Sequence, residues 1–258
     1  MNLDIPEYKI SELSARKSNY CVCIFVLNEG ERIRQQLTKM REFADQADII
    51  IADGGSTDGA LPLDYLSKQL VRVLLTKQGP GALGAQMRMA FSYAMSEGYQ
   101  GVIAIDGNNK DDPAAIPHFI SSLKNGKKFI QGSRFIKGGF EENTPLLRYL
   151  GIRFIHAPLI SIAAGKHYTD TTNGFRAYSR ELLLDPRIDL FRSVFNGYEL
   201  HYYLAIRAAR CGMQIEEVPV SRRYPKGEVP SKIKGLKGYL KVLKSLYRCC
   251  TFKYDPKL

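Results

Sequence analysis

The chain has 258 residues, of which 45% are hydrophobic, and its formal net charge at pH 7 is +11. This length and hydrophobic content exclude a disordered chain and allow one large α/β domain with a full core. The positive charge favours anionic partners such as nucleotide phosphates, lipid phosphates or an anionic membrane surface. The sequence has no zinc-finger or RNP-like pattern, so we expect no nucleic-acid partner.

The five cysteines include no CxxC pair, so a zinc site is not expected. An odd cysteine count without a secretory signal suits a reducing cytoplasm. The longest uncharged stretch of interest, residues 154–165, is too short to span a bilayer. We therefore expect a cytoplasmic protein whose membrane contact is peripheral.

The predicted elements alternate along the chain after a polar leader, residues 1–19. Apolar runs predict strands, and 3.6-residue patterns predict helices after Glu29, Gly81 and Pro113. The predicted strands cover 20–27, 47–52, 71–75, 101–106, 128–132 and 213–220, and later helices cover 146–164 (interrupted at Pro158) and 197–211. This alternation predicts a mostly parallel, doubly wound sheet flanked by helices, in one domain over residues 20–230.

The C-terminal region, residues 231–258, begins with a basic amphipathic helix over 231–250. Apolar residues repeat there at alternating three- and four-residue steps, and lysines fill the other faces. Such a helix either docks on its own domain or lies on a membrane. Both interpretations stay open at this point.

Three predicted strands deliver polar side chains to one edge of the sheet. Asn28 and Glu29 follow the first strand, and Asp53 and Asp106 end two others, which we expect to be adjacent. Open α/β sheets bind ligands at this edge, where Asp53 can accept hydrogen bonds from a ribose or a base. Phosphates beside acids usually imply a divalent cation. The alternative is a tight turn whose Asp and Ser only cap the next helix.

These segments, with others further along the chain, resemble the family-two inverting glycosyltransferases of the GT-A fold. The resemblance is strongest to the polyprenyl-phosphate and dolichyl-phosphate mannose and glucose synthases, and it runs from about Tyr20 to about Lys232. It rests on the order and spacing of several short motifs: 26–29, 53–59, 77–81, 106–108, 132–135, 170–176 and 218–223.

The resemblance implies a site for a UDP- or GDP-sugar donor. The donor residues it implies are Asn28, Glu29, Asp53, Gly55, Ser56, Lys77, Asp106, Gly107, Asn108, Lys110, Arg223 and Lys232. The segment from Arg222 to Lys232 is similar to a late basic segment that closes over the donor diphosphate in this family. Glu29 has an equal alternative as a helix-capping acid.

Asp106 occupies the first position of the family's Asp-x-Asp motif, which binds Mg²⁺ or Mn²⁺ on the diphosphate. The implied metal ligands are Asp106 and Asn108, but the sequence departs from the motif here. Asn108 stands where the second acid is expected, and Lys110 stands where a glutamine is often found. Either the metal is held weakly, or the Lys110 ammonium shares its role.

The resemblance implies four catalytic residues: Asp106, Arg134, Arg148 and Asp170. The two arginines would grip an acceptor phosphate, for which guanidinium groups are geometrically suited. Asp170 would act as a base towards a hydroxyl acceptor. With a phosphate acceptor, which needs no strong base, it would mainly orient its neighbours.

The leading interpretation is an inverting hexosyltransferase of cell-envelope glycan biosynthesis, peripheral on the cytoplasmic face of a membrane, with a polyprenyl phosphate as acceptor. The first alternative is the same class of enzyme acting on a sugar hydroxyl of a glycolipid or polysaccharide. The second is a non-catalytic module that binds nucleotide or membrane.

Overall fold

Residues 3–227 and 235–256 are described by the computed structural model, and they form ten strands. These are β1 (Tyr8–Glu12), β2 (Tyr20–Val26), β3 (Asp48–Asp53), β4 (Val71–Lys77), β5 (Gly101–Asp106), β6 (Phe129–Ser133), β7 (Phe140–Glu142), β8 (Arg176–Ser179), β9 (Ile215–Pro219) and β10 (Ser221–Arg223). Eight form one mixed sheet in the order β1-β4-β3-β2-β5-β8-β6-β9, and β7 pairs with β10 separately.

The same described ranges contain nine α-helices. They are α1 (Glu31–Met40), α2 (Leu63–Lys68), α3 (Leu83–Ser96), α4 (Ile116–Lys124), α5 (Leu146–Gly151), α6 (Ala157–Ala164), α7 (Arg180–Leu184), α8 (Glu199–Arg210) and α9 (Gly235–Cys250). A 3₁₀ turn at Pro113–Ala115 precedes α4, and Asp112 caps it by accepting a hydrogen bond from the Ala114 N–H, as its position before a proline predicts.

Two apolar cores cover the two faces of the large sheet. Along β2, alternate side chains enter different cores: Cys21 and Cys23 face α3, α6 and α8, whereas Val22 and Ile24 face α1, α2 and α4. Strands buried on both faces are apolar at every position, which explains why these strands appear as continuous apolar runs in the sequence. The predicted α/β fold, a mostly parallel sheet flanked by helices, is confirmed.

Two antiparallel strands of the sheet were not predicted. β1 lies within the polar leader and pairs antiparallel with β4 at the edge of the sheet. β8 lies between β5 and β6 and is antiparallel to both. β1 has no apolar run and β8 is only four residues long, so neither gives a strong periodic signal.

The predicted interruption of the 146–164 helix at Pro158 is wrong. A π-helical segment, Ile152–His156, joins α5 directly to α6, and Pro158 lies in the first turn of α6. A wider turn before a proline accommodates the ring and its missing N–H donor. By length and composition, Leu146–Ala164 is the one helix in the described ranges that could cross a membrane. Only 28% of it is buried in the protein, so most of the helix is not a core helix.

The C-terminal helix docks on its own domain while keeping an apolar face exposed. In α9, Leu246 and Cys249 are buried among residues of α8, and the Cys250 thiol lies 3.7 Å from the Leu159 carbonyl oxygen. Its exposed apolar residues are Tyr239, Leu240, Leu243 and Tyr247. The predicted start of this helix, residues 231–234, lies outside the described residues.

Gly84 allows the start of α3 to approach the backbone that leads into α8. A Cβ at this position would lie 2.7 Å from the Phe195 carbonyl oxygen and 2.9 Å from the Asn196 carbonyl carbon. Gly84→Ala should therefore lower the free energy of unfolding by about 1–3 kcal/mol. The atoms that the new methyl group would meet belong to the backbone, which cannot move aside as the end of a flexible side chain can. Urea denaturation measures this change.

Gly151→Ala is the matched control. Nothing lies within 4 Å of a Cβ built there. Within a helix, alanine is favoured over glycine by up to about 1 kcal/mol, so this variant should be as stable as the wild type or more stable. Equal destabilisation of the two variants would contradict the proposed close packing.

Candidate functional site

The carboxyl ends of β2, β3 and β5 meet at one edge of the sheet. In the strand register, Asp53 lies opposite Val26 and Asp106 lies opposite Phe25. β3 and β5 therefore flank β2, and the expectation that they are adjacent is wrong. Two strand spacings separate the aspartates by about 10 Å, which leaves room for one ligand to contact both.

The loop after β3 is fixed by hydrogen bonds with the loop after β2. The Asp53 carboxylate accepts hydrogen bonds from the Ser56 N–H, at 2.9 Å, and from its hydroxyl, at 2.6 Å. The Asn28 side chain accepts a hydrogen bond from the Thr57 N–H at 2.8 Å. Gly55 has φ +93°, which favours glycine. The acid thus organises the turn at this edge of the sheet. It does not cap the next helix, because α2 has Pro62 at its N-cap and no side-chain cap.

Lys77 and Glu29 border the same edge. The Lys77 ammonium donates to the Gly79 carbonyl oxygen at 2.7 Å. The Glu29 carboxylate pairs with Arg32 at 2.8 Å, and the residue at the N-cap of α1 is Gly30. Glu29 therefore does not cap this helix.

A buried glutamine on α1 holds the loop that follows Asp106. The Gln36 amide donates to the Asp106 carbonyl oxygen at 3.0 Å and accepts from the Asn109 N–H at 2.8 Å. Gly107 lies against β2, where a Cβ would come within 2.8 Å of a Val26 methyl group. Gln36 was not predicted as a site residue, although a polar residue within the apolar stripe of a helix is a usable signal.

Arg222 of β10 connects this loop to the late basic segment. Its guanidinium lies 3.4 Å from the Asp106 carboxylate and pairs with the fully buried Asp111. Burial raises the pKa of Asp111 to about 6, although the Arg222 charge opposes this shift. The predicted donor ligand Arg223 instead pairs with Asp112 and Glu142. Lys232, also predicted to bind the donor, lies outside the described residues.

Three cationic side chains surround the ring of Tyr224. The Lys110 nitrogen lies 5.1 Å from the ring centroid, and the guanidinium carbons of Arg148 and Arg222 each lie 5.5 Å away. Burial alone would raise the pKa of Tyr224, but Arg222, Arg134 and Arg148 outweigh it and lower the pKa. Burial and the nearby Arg222 lower the pKa of Lys110. The cluster therefore brings three positive charges to one ring, of which Arg222 is paired with Asp106 and Asp111.

Arg134 and Asp170 form a buried ion pair beside this cluster. The Arg134 Nε and Nη2 groups donate to the two Asp170 oxygens at 2.6 and 3.0 Å, and Nη2 also donates to the Thr172 hydroxyl. Burial would raise the pKa of Asp170, but the pair with Arg134 lowers it. The buried Nη1 of Arg134 has no hydrogen-bond partner among the described residues.

Two tyrosines complete the site and were missed by sequence analysis. Arg134 and Arg148 both lower the pKa of Tyr224, so its phenol lies near both predicted acceptor arginines. Tyr198, at the start of α8, lies near Asp106, Arg148 and Glu29, and burial raises its pKa. Tyr224 directly follows the two arginines of the late basic segment, which is a usable signal. No sequence pattern indicates Tyr198.

The residues at the predicted metal position do not fit a divalent cation. The Asp106 carboxylate faces Arg222, and the Asn108 amide points a nitrogen at it from 3.4 Å. The Asn108 oxygen accepts a hydrogen bond from the Lys110 N–H at 3.2 Å. Hard cations prefer several free carboxylate oxygens. In the part of the chain that the structure describes, no group of three or more His, Cys, Asp or Glu residues is arranged to hold a metal.

A family model described as Glycosyl transferase family 2 matches residues 21–185. The chain is 28% identical to an undecaprenyl-phosphate mannosyltransferase of Micrococcus luteus over 199 residues, 75% of this chain and 79% of the relative. It is also 28% identical to a dolichyl-phosphate hexose transferase of Haloferax volcanii over 245 residues, 95% of this chain and 96% of the relative.

Solved structures share the fold. Glucosyl-3-phosphoglycerate synthase of Mycobacterium tuberculosis, in complex with Mn²⁺, UDP and glucosyl-3-phosphoglycerate, has a TM-score of 0.64 with this chain. The likeness covers 92% of this chain and 81% of that chain at 18% identity. A complex of the same synthase with Mg²⁺ and UDP has a TM-score of 0.65. At such identity the likeness shows the fold, which is the predicted GT-A type.

Removing the charge of Asp170 should destabilise the protein, because it leaves a buried guanidinium without its counter-ion. We expect Asp170→Asn to lower the free energy of unfolding by about 3–5 kcal/mol. Glu181→Gln, which breaks the exposed pair between Lys128 and Glu181, should cost less than about 1 kcal/mol. Denaturant unfolding of both variants tests this, and equal stability would show that Asp170 does not hold Arg134 in place.

Proposed function

The chain belongs to glycosyl transferase family 2, and on that premise we propose that it transfers a hexose from a UDP- or GDP-sugar to a polyprenyl phosphate with inversion. Relatives named for transfer to undecaprenyl phosphate, polyprenol phosphate and dolichyl phosphate, each 28% identical, support this acceptor class. One observation carries the proposal: the cationic cluster around Tyr224 lies directly beside Asp106, where the donor diphosphate is expected.

The donor occupies the edge formed by β2, β3 and β5. Asp53 and the backbone after it face the nucleoside, and the glycine at position 55 permits close approach. Asp106 lies at the diphosphate end, where Arg222 and Lys110 place positive charge. These charges favour departure of the nucleoside diphosphate, whose negative charge grows as the bond to the sugar breaks.

The acceptor phosphate binds on the other side of Tyr224. Arg148 donates to it, and the buried guanidinium of Arg134 adds positive charge from behind the Tyr224 ring. One phosphate oxygen attacks the anomeric carbon from the face opposite the diphosphate, and the bond from this carbon to the diphosphate oxygen breaks. The nucleoside diphosphate leaves with the electron pair, which gives inversion.

This acceptor explains why Asp170 can remain in an ion pair. A phosphate is already anionic near neutral pH and needs no base, whereas a sugar hydroxyl must lose a proton to a nearby base. Both Asp170 oxygens accept hydrogen bonds from Arg134, and the pair lowers the pKa of Asp170. Asp170 therefore positions Arg134 in this mechanism, and the hydroxyl-acceptor alternative is less well supported.

An exposed apolar surface beside the acceptor site faces the membrane in this proposal. On the helix Leu146–Ala164, Leu147 is 86% exposed and Ile162 is 78% exposed. α6 contacts α9, so the exposed face of α9 extends the same surface. We call this set the apolar surface: Leu146, Leu147, Leu150, Phe154, Ile155, Leu159, Ile162, Tyr239, Leu240, Leu243 and Tyr247. A patch of this kind marks a membrane or protein contact.

The helix lies on the membrane surface in this arrangement and does not cross it. Its opposite face carries Ile152, Ile160 and Ala163, which are buried in the domain and would have to leave it for the helix to span. Arg148 is on the same helix as the exposed leucines 147 and 150. The lipid phosphate would therefore reach the site while its chain stays in the bilayer.

Basic residues of α9 strengthen contact with anionic lipid, as Lys241 and Lys244 are exposed beside the apolar surface. Each basic residue near such a membrane contributes up to about 1 kcal/mol. The described cysteines are all free thiols, which suits the cytoplasmic face of a membrane.

Turnover with a panel of UDP- and GDP-sugars, and with polyprenyl phosphate or a glycan as acceptor, tests the proposed function. We expect transfer to polyprenyl phosphate from one donor class. Arg148→Gln should raise the apparent KM for the lipid phosphate by about tenfold or more, because a charge-assisted hydrogen bond contributes roughly 1.5–3 kcal/mol.

Arg210→Gln is the control for this variant, because Arg210 stacks on Phe252 at the far end of α8. Its KM should match that of the wild type. If Arg148→Gln weakens donor binding and leaves the lipid KM unchanged, Arg148 belongs to the diphosphate site. Transfer to a glycan hydroxyl alone would overturn the polyprenyl-phosphate acceptor.

Membrane binding depends on the apolar surface in this proposal. The double variant Leu147→Glu/Ile162→Glu should bind anionic liposomes at least about tenfold more weakly, since burying each side chain contributes about 1.5–3 kcal/mol. Lys241→Gln/Lys244→Gln should also reduce binding, and salt should weaken wild-type binding. Liposome co-sedimentation measures these effects. Leu63→Glu, at an exposed position of α2, is the control and should bind liposomes as the wild type does. If the wild type stays in the supernatant, the apolar surface does not bind membranes.

A further inference from the structure

Two departures from the Asp-x-Asp motif change the local charge by the amount that a divalent cation would supply. Asn108 in place of the second acid removes one negative charge, and Lys110 in place of the usual neutral glutamine adds one positive charge. Together they make this loop more positive by two charges. The departures occur two residues apart, at the position where the diphosphate is expected.

The fold places cationic side chains beside Asp106, the acid that would otherwise bind the metal. Arg222 lies 3.4 Å from the Asp106 carboxylate and is 7% exposed. The Lys110 ammonium lies over the Tyr224 ring and interacts with both Asp106 and Arg222. Two cations from different segments thus occupy the surroundings of Asp106.

These cations are held together although they repel one another. Lys110, Arg148 and Arg222 share one tyrosine ring, and Arg222 pairs with both Asp106 and Asp111. Clustering like charges in a partly buried site is unfavourable and typical of sites that bind an opposite charge. A diphosphate supplies that charge, and ammonium and guanidinium groups both bind phosphate well.

We propose that Lys110 and Arg222 are the built-in cation of the donor site, so that this chain binds the nucleoside diphosphate without a divalent metal. Lys110 contributes the charge that the family motif leaves to the metal, and Arg222 holds Asp106 in place beside the diphosphate. The inference rests on the proposed function, since it concerns the donor of that reaction.

Isothermal titration of UDP and GDP, in excess EDTA and in Mn²⁺, tests the inference. The wild-type Kd for the preferred nucleotide should change by less than about threefold between the two conditions. Lys110→Gln should weaken binding in EDTA by about tenfold or more, as loss of a charge-assisted bond to phosphate implies. Asn108→Asp/Lys110→Gln should bind the nucleotide only with Mn²⁺, because this double variant restores the acidic motif.

Lys128→Gln is the matched control, since Lys128 pairs with Glu181 on the surface at the opposite end of β6. Its Kd should not change in either condition. A wild type that binds nucleotide in Mn²⁺ and loses it in EDTA would overturn the built-in cation and leave the proposed function intact. Failure of UDP and GDP, and of their sugars, to bind in both conditions would overturn the proposed function itself. If a Lys110 variant does not fold, the comparison of wild-type nucleotide binding in EDTA and in Mn²⁺ still tests the built-in cation.

Discussion

The site depends on the ion pairs that Arg222 makes with Asp111 and Asp106. Arg222 and Asp111 are 111 residues apart in the sequence, and their pairing ties β10 to the loop after β5. Asp111 is fully buried, so removing the guanidinium would leave its carboxylate without the paired counter-ion in a low-dielectric interior. The same guanidinium faces Asp106 and donates to the Tyr224 hydroxyl at 3.3 Å, and the ring of Tyr224 lies against Lys110. One interaction thus joins the proposed donor edge, the cationic cluster and the proposed acceptor side.

Much of the fold could be predicted because its strands are buried on both faces. The runs that became β2, β3 and β5 are apolar at nearly every position, and each is followed by polar residues where ligands bind in open α/β sheets. The order of strands could not be predicted in the same way. Asp53 and Asp106 end strands that are separated by β2. This order could not be predicted because it depends on long-range packing, which a local sequence pattern does not contain.

Site residues that belong to a family motif could be predicted from the sequence. Residues whose role depends on contacts with distant parts of the chain were harder to predict. Arg134 and Asp170 were singled out individually, but their mutual burial follows from β6 meeting the loop before β8. Gln36 and Tyr198 gain their importance only from neighbours distant in sequence. The helix Leu146–Ala164 appeared interrupted because a proline normally ends a helix, whereas the preceding π-helical segment accommodates it.

The most direct test of the account is a crystal structure with the preferred nucleoside diphosphate and a short-chain polyprenyl phosphate bound together. We predict that the diphosphate lies against Asp106, Lys110 and Arg222, and that the lipid phosphate contacts Arg148 on the opposite side of Tyr224. The lipid chain should leave the protein along the exposed face of the helix Leu146–Ala164. A lipid phosphate bound away from Arg148, or a diphosphate bound away from Asp106, would contradict the central claim that Tyr224 separates two phosphate sites.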